Sequence, residues 1–196
     1  GKKDMKKRIL SILLLCCMVL TLLPTTAFAA GEIDEQFILA PGGTYYFDLI
    51  TGAMAKGDIV VDNLPCNFDT TTGIGCNLMW HSMDGKDYWY EAGKRQGYDP
   101  NNAAYRGKEI YDPASNGWYW LDNVQQGAKA VSKDVYQESN GGKWVRYDAN
   151  GHMIKGWDTN DDGTYYFDLV TGAMTKGDAT INGLPCSFDT VTGIGL

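Results

Sequence analysis

Hydrophobic and polar positions alternate along this chain in a repeating order. A short run of aromatic and aliphatic residues ends on an acid, and a polar segment rich in turn formers follows. The clearest runs are Tyr45-Tyr46-Phe47-Asp48 and Tyr165-Tyr166-Phe167-Asp168. Five others align on the acid: Cys66-Asn67-Phe68-Asp69, Tyr88-Trp89-Tyr90-Glu91, Tyr119-Trp120-Leu121-Asp122, Val145-Arg146-Tyr147-Asp148 and Cys186-Ser187-Phe188-Asp189. Each run has strand composition, and the Asp-x-x-Thr-Gly that follows several of them supplies an Asx turn with a glycine free to take positive φ. No stretch has the periodicity of a convincing amphipathic helix.

Counted from the residue that precedes each quoted run (Thr44, Pro65, Asp87, Trp118, Trp144, Thr164 and Pro185), the runs start at residues 44, 65, 87, 118, 144, 164 and 185. A period near twenty residues predicts stacked supersecondary units, here β-hairpins, because a lone two-stranded hairpin is marginal in water and needs neighbours. The expected fold is therefore all-β, a solenoid-like stack of hairpin repeats with two irregular insertions in the middle. Residues 44–75 and 164–195 share 23 identities in 32 positions, which marks an internal duplication. Met54, Met153 and Met174, each two residues beyond a turn glycine, read as adaptable filler between hairpins.

Four segments follow: residues 1–29 as leader, 30–76 as a first hairpin block, 77–163 as a middle that holds all six tryptophans, and 164–196 as a second block. The leader has the order of a secretory signal, with Lys6, Lys7 and Arg8, an apolar run from Ile9 to Leu23, and Ala27-Phe28-Ala29 as cleavage site. Fifteen apolar residues are short for a membrane span, and none follows later. Removing the leader leaves a net charge of about −11, a surface that repels nucleic acid. The expected location is secreted and at the cell surface, held without covalent linkage. Cys66 and Cys186 read as small buried apolar residues, with Cys76 odd in number.

The combination of Trp144-Val145-Arg146-Tyr147-Asp148-Ala149-Asn150-Gly151-His152-Met153-Ile154-Lys155-Gly156-Trp157 with Trp118-Tyr119-Trp120-Leu121-Asp122 and both Tyr-Tyr-Phe-Asp copies resembles the bacterial cell-wall-binding repeats. That family includes choline-binding modules and the glucan-binding repeats of glucosyltransferases and large secreted toxins. The resemblance implies ligand sites between consecutive hairpins, walled by aromatic rings, with a cell-wall polymer as partner: choline-bearing, glucan or peptidoglycan. Carried over by position, it selects Trp144, Trp157 and Tyr165 or Tyr166, with Met153 beneath. Trp80, Tyr88, Trp118 and Tyr136 fall at junctions that lack one wall.

Two other chemistries compete. Asp158-Thr159-Asn160-Asp161-Asp162-Gly163 opens like a calcium loop, but Leu169 stands where the bidentate Glu belongs, so a polar hairpin loop is favoured and neither metal nor cofactor is expected. His81 and His152 have no serine or cysteine at a motif spacing, so a non-catalytic binding module is expected. A secreted adhesin for host glycans, and an unrecognised cell-wall hydrolase, are the alternatives. The cleavage site predicts an exported chain beginning near Ala30. Mass spectrometry of the mature protein checks this, and an intact Met5–Ala29 segment would contradict it.

Overall fold

The computed structural model describes residues 36–138 and 141–196, so the leader and its cleavage site lie outside the described residues. The chain divides after Gln96 into two compact units. In the first, β1 (Phe37–Ala40) pairs with β2 (Gly43–Tyr46), β3 (Gly57–Val61) with β4 (Leu64–Phe68), and β5 (Met79–Met83) with β6 (Lys86–Glu91). The two-residue β7 (Lys94–Arg95) pairs with both β6 and β4. In the second, β8 (Gly107–Asp112) pairs with β9 (Gly117–Asp122), and a 3-10 turn at Asn123–Gln125 leads to β10 (Ala128–Lys129), which returns to β9. Three further hairpins follow: β11 (Lys133–Gln137) with β12 (Lys143–Tyr147), β13 (Gly156–Asn160) with β14 (Gly163–Phe167), and β15 (Gly177–Ile181) with β16 (Leu184–Phe188). All pairs are antiparallel, and no helix among the described residues is long and apolar enough to cross a membrane.

The seven aromatic runs are the second strands of these seven hairpins. Each tight turn therefore precedes its run, whereas the acid read from sequence as the hairpin turn opens the link to the next hairpin. Three of the preceding turns are two-residue loops with positive φ at both positions: Asp62-Asn63, Asp84-Gly85 and Asn182-Gly183. That geometry matches the right-handed twist of the flanking strands, and Asn, Asp and Gly tolerate it best. The segment Glu109–Asp112, which also runs from strand residues into an acid, is part of β8, the first strand of the fourth hairpin. The calcium-like loop is a hairpin turn too. Asn160 accepts from the Asp162 and Gly163 backbone N–H groups, and Asp158 pairs with Arg146.

Every residue directly before the acid is buried: Phe47, Phe68, Tyr90, Leu121, Tyr147, Phe167 and Phe188 are all 4% exposed or less. Burying one such side chain contributes about 1.5–3 kcal/mol. Around this row the first unit packs Val61, Cys66 and Phe68 against Phe37, Tyr46, Ala55 and Ile59. The second packs Trp120, Ala130, Val135, Val145 and Tyr147 with Met153. The described cysteines, Cys66, Cys76 and Cys186, are free; burial pushes the Cys66 thiol up to about 11.

After β4, β14 and β16 the chain turns and hydrogen-bonds to the hairpin before it. Gly75 N–H donates to Thr44 O, Met174 N–H to Trp144 O, and Gly195 N–H to Thr164 O, each at 2.7 Å. The methionines fill the joints as the sequence suggests. A Cβ built on Gly73, Gly172 or Gly193 would fall within 2.8 Å of the sulfur of Met54, Met153 or Met174 respectively, so each methionine lies against the turn glycine of the following hairpin. The lysine two residues beyond the methionine clasps that same turn, Lys56 donating to Thr71 O, Lys155 to Val170 O and Lys176 to Val191 O.

The acid turns carry a pH signature. Asp48, Asp69, Asp168 and Asp189 each accept from the backbone N–H and then the hydroxyl of the threonine three residues on, which holds their carboxyls below the usual range. A carboxyl lowered on folding stabilises the fold above its unfolded pKa, about 4, and loses that contribution as pH falls through its lower folded value. Urea midpoints should therefore hold steady from pH 7 to about 4 and decline below, with a shallower decline in Asp168→Asn. A midpoint unchanged from pH 4 to 2 would rule this out.

Candidate functional site

Large rings that folding alone would bury stand exposed along one face of the hairpins. Trp118 is 55% exposed, Trp144 42% and Trp157 53%. Strand alternation explains the placement: the residue before the acid and the one two earlier share one face, so the residues two and four before the acid share the other. There the hairpins set rings directly opposite each other. Tyr111 meets Trp118 at 5.2 Å between centroids, Tyr136 meets Trp144 at 5.5 Å, and Trp157 meets Tyr166 at 5.0 Å in an edge-on arrangement. Edge-to-face pairs of this spacing are favourable beyond the area they bury.

Of the residues selected from sequence, Trp157 and Tyr166 come together. Phe188 of the next hairpin joins them, 6.0 Å from Trp157 between centroids. Phe188 stands directly before its acid, in the buried row, a position that the resemblance does not select as a wall. Tyr165 faces the other way and is 4% exposed, its ring stacked near Phe167 and covered by Arg146, whose guanidinium carbon lies 4.1 Å from the ring centroid. Trp144 pairs with Tyr136 and carries the Lys176 ammonium 5.8 Å from its ring centroid. Met153 lines a separate cleft with Trp118.

In the first unit, Trp80 packs edge-on against the buried Trp89 at 5.0 Å. Tyr88 is buried with the Arg95 guanidinium 3.8 Å above its ring. The first unit also repeats the Trp157 cluster. Phe37, Tyr46 and Phe68 stand 120 residues before Trp157, Tyr166 and Phe188, with Phe37–Tyr46 centroids again 5.0 Å apart and both rings 6.3 Å from Phe68. Here the Lys94 ammonium sits 4.0 Å from the Phe37 centroid. Among the described residues no protein cation stands on the Trp157 ring.

Arg146 is the most heavily held cation of the second unit. Its guanidinium grips both oxygens of Asp134, at 2.6 and 3.0 Å, and reaches Asp158 at 2.9 Å. These bonds, Asp134's first, raise its pKa, so it stays charged while 8% exposed. Asp134 and Arg146 occupy the same register position in their hairpin as Trp157 and Tyr166 in the next. His81 lies 3.4 Å from Asp58 and His152 accepts or donates at 2.9 Å to the Tyr119 hydroxyl. No cluster of three or more metal-ligating side chains occurs among the described residues.

No protein-family profile matches the chain, and no curated protein matches it by sequence. Solved structures do. Choline binding protein F from Streptococcus pneumoniae, in the presence of a tetrasaccharide-pentapeptide peptidoglycan analogue, superposes with a TM-score of 0.57 at 22% identity over 82% of this chain. CbpJ from Streptococcus pneumoniae TIGR4 gives 0.58 at 21% over 82%. CbpF in complex with ipratropium gives 0.56 at 22%. This chain spans about half of each, 51%, 52% and 53% respectively. The chain therefore has the stacked-hairpin fold of the choline-binding repeat proteins.

Removing the Arg146 side chain should leave Asp134 and Asp158 facing each other unpaired beside an emptied ring face. Arg146→Ala is expected to lower unfolding free energy by about 2–4 kcal/mol, less than a fully buried pair because both carboxylates keep some solvent. Chemical denaturation of the two proteins measures it; a loss below about 0.5 kcal/mol would place the ion pairs among inert surface bridges.

Proposed function

We propose that this chain is a non-catalytic cell-surface module that binds a cell-wall polymer through aromatic sites between hairpins, and that Trp157 and Tyr166, backed by the buried Phe188, form a site for a choline-like quaternary ammonium. One observation carries the reading. The same three-ring cluster occurs twice by duplication, and in the first copy it already accepts an ammonium, that of Lys94. Ring faces attract a cation electrostatically, by about 0.5–1 kcal/mol at exposed sites and about 2 or more when water is excluded. In the second copy Trp157 is exposed and carries no protein cation among the described residues, so the attraction is left for a ligand. The larger indole also offers the strongest ring for such contact.

Choline binding protein F takes ipratropium, itself a quaternary ammonium, in the same stacked-hairpin fold. That supports the ligand class without fixing the residues. The acidic surface of the chain favours a cationic group as well. Such contacts would retain an exported chain at the cell surface without covalent attachment. Trp144, of the preceding hairpin, pairs with Tyr136 and has Lys176 near its own ring face.

Titration with choline, followed by tryptophan fluorescence and calorimetry, tests the assignment. Trp157→Ala should weaken choline binding by about 1–2 kcal/mol, and Trp118→Ala should leave it in place. A folded Trp157→Ala protein that binds choline normally, or loss of choline binding in Trp118→Ala alone, would overturn it.

A further inference from the structure

A second site lies elsewhere in the second unit. A cleft of about 420 Å³ is bordered by Glu109 of β8, Trp118 of β9, Lys143 of β12, Met153 and Lys155 of the turn after β12, and Val170 and Thr171 of the turn after β14, with His152 at its rim. It contains none of the three rings assigned above to quaternary ammonium. Its volume falls in the range of small-molecule sites.

Three features define what it would accept. Trp118 is 55% exposed with Tyr111 packed beside it at 5.2 Å, so the indole is a braced flat wall. Met153 is partly buried against the Tyr147 cluster and provides an apolar floor. The charges are the informative part. Lys143 donates to Thr171 O at 2.7 Å and Lys155 to Val170 O at 3.0 Å, so peptide carbonyls hold both ammonium groups. Neither has a carboxylate within ion-pair distance among the described residues. Asp168 of the same turn spends its carboxylate on the Val170 and Thr171 N–H groups and the Thr171 hydroxyl, and Asp148 accepts from Asn150 and His152 N–H. The cleft thus sets two ammoniums against one lining carboxylate, Glu109, in a chain whose formal net charge is −7.

A flat ring suits the apolar face of a pyranose, and an ammonium held by one carbonyl keeps two donors for an anion. A quaternary ammonium would meet two like charges here. We propose that this cleft binds a saccharide bearing a carboxylate, with Trp118 stacking on the sugar ring and Lys143 and Lys155 receiving the acid group. The two ammoniums lining the cleft favour the acid over the neutral sugar, tempered by the charges of Glu109 and of Asp168, which feels Lys155, and the turn carbonyls fix the ammoniums in place before the ligand arrives.

Two sugars isolate the carboxylate. N-acetylmuramic acid and N-acetylglucosamine differ by the lactyl ether that carries it, and each is titrated into the full chain by calorimetry and tryptophan fluorescence at low and high salt. The acid should bind and the neutral sugar should bind about two- to fivefold more weakly, with the gap closing at high salt. Lys143→Gln should reduce acid binding by a similar factor while leaving the neutral sugar unchanged. Glu109→Gln should tighten the acid, and Trp118→Ala should weaken both sugars by about three- to tenfold. Choline titrations should be unaffected in all three variants, so failure at this cleft is distinct from failure at Trp157. Equal binding of the two sugars, no binding of either, or no response of the acid to Lys143→Gln in a protein with an unchanged circular dichroism spectrum would overturn the proposal; none of these readings depends on Trp118→Ala folding.

Discussion

The stack depends on one buried side chain per hairpin, the residue directly before the acid. A two-stranded hairpin has a single apolar face and too little area to hold itself together in water. Here that face is anchored by Phe47, Phe68, Tyr90, Leu121, Tyr147, Phe167 or Phe188, all nearly sealed from solvent. In five hairpins the aspartate that follows (Asp48, Asp69, Asp148, Asp168, Asp189) accepts from two backbone N–H groups of the turn and reverses the chain, and Gly75, Met174 and Gly195 each bond back to an earlier strand. Ring, turn and returning bond act as one device. Removing any of them would leave a hairpin with nowhere to bury its face.

This arrangement frees the opposite face for other uses. Two residues before the acid, the cross-strand pair is aromatic in Phe37–Tyr46, Trp80–Trp89 and Trp157–Tyr166, but polar in Asp58–Asn67, Asp134–Arg146 and Asp178–Ser187. The polar pairs are hydrogen-bonded struts, with Asn67 donating to Asp58 and Ser187 to Asp178. A single register position thereby decides whether a hairpin offers rings or a strut. Because both choices leave the buried row untouched, they can vary between repeats without loss of the fold.

The repeat, the strand content and the role of the methionines were legible because they rest on composition and period. All seven aromatic runs are strands, and Met54, Met153 and Met174 do fill joints. The hairpin turns were overlooked although Asp84-Gly85 and Asn182-Gly183 carry the residues that positive φ requires, since the acid turns drew the reading first. The choice between Tyr165 and Tyr166 could not be made from spacing. Adjacent strand residues point to opposite faces, and only the register shows that Tyr166 lies across from Trp157 while Tyr165 lies across from Asp158. Met153 likewise sits at the expected spacing, yet the glycine it packs on, Gly172, belongs to the next hairpin, which carries it to the Trp118 cleft.

Cation placement then separates joints that look alike in ring content. Arg95 over Tyr88, Lys94 over Phe37 and Arg146 over Tyr165 occupy ring faces with the protein's own charges at 3.8–4.1 Å. A face so occupied is already desolvated and electrostatically satisfied, so a ligand cation would have to displace a covalently tethered one at very high effective concentration. Trp157 differs from Phe37 in lacking that occupant among the described residues, and Trp118 differs from both in having ammoniums beside its cleft, held by peptide carbonyls. Ring count alone would rank these joints equally. The positions of lysine and arginine are the ground on which we propose cations at the Trp157 cluster and acids at the Trp118 cleft, and these are contacts that a sequence change at Lys143, Arg146 or Lys176 would alter.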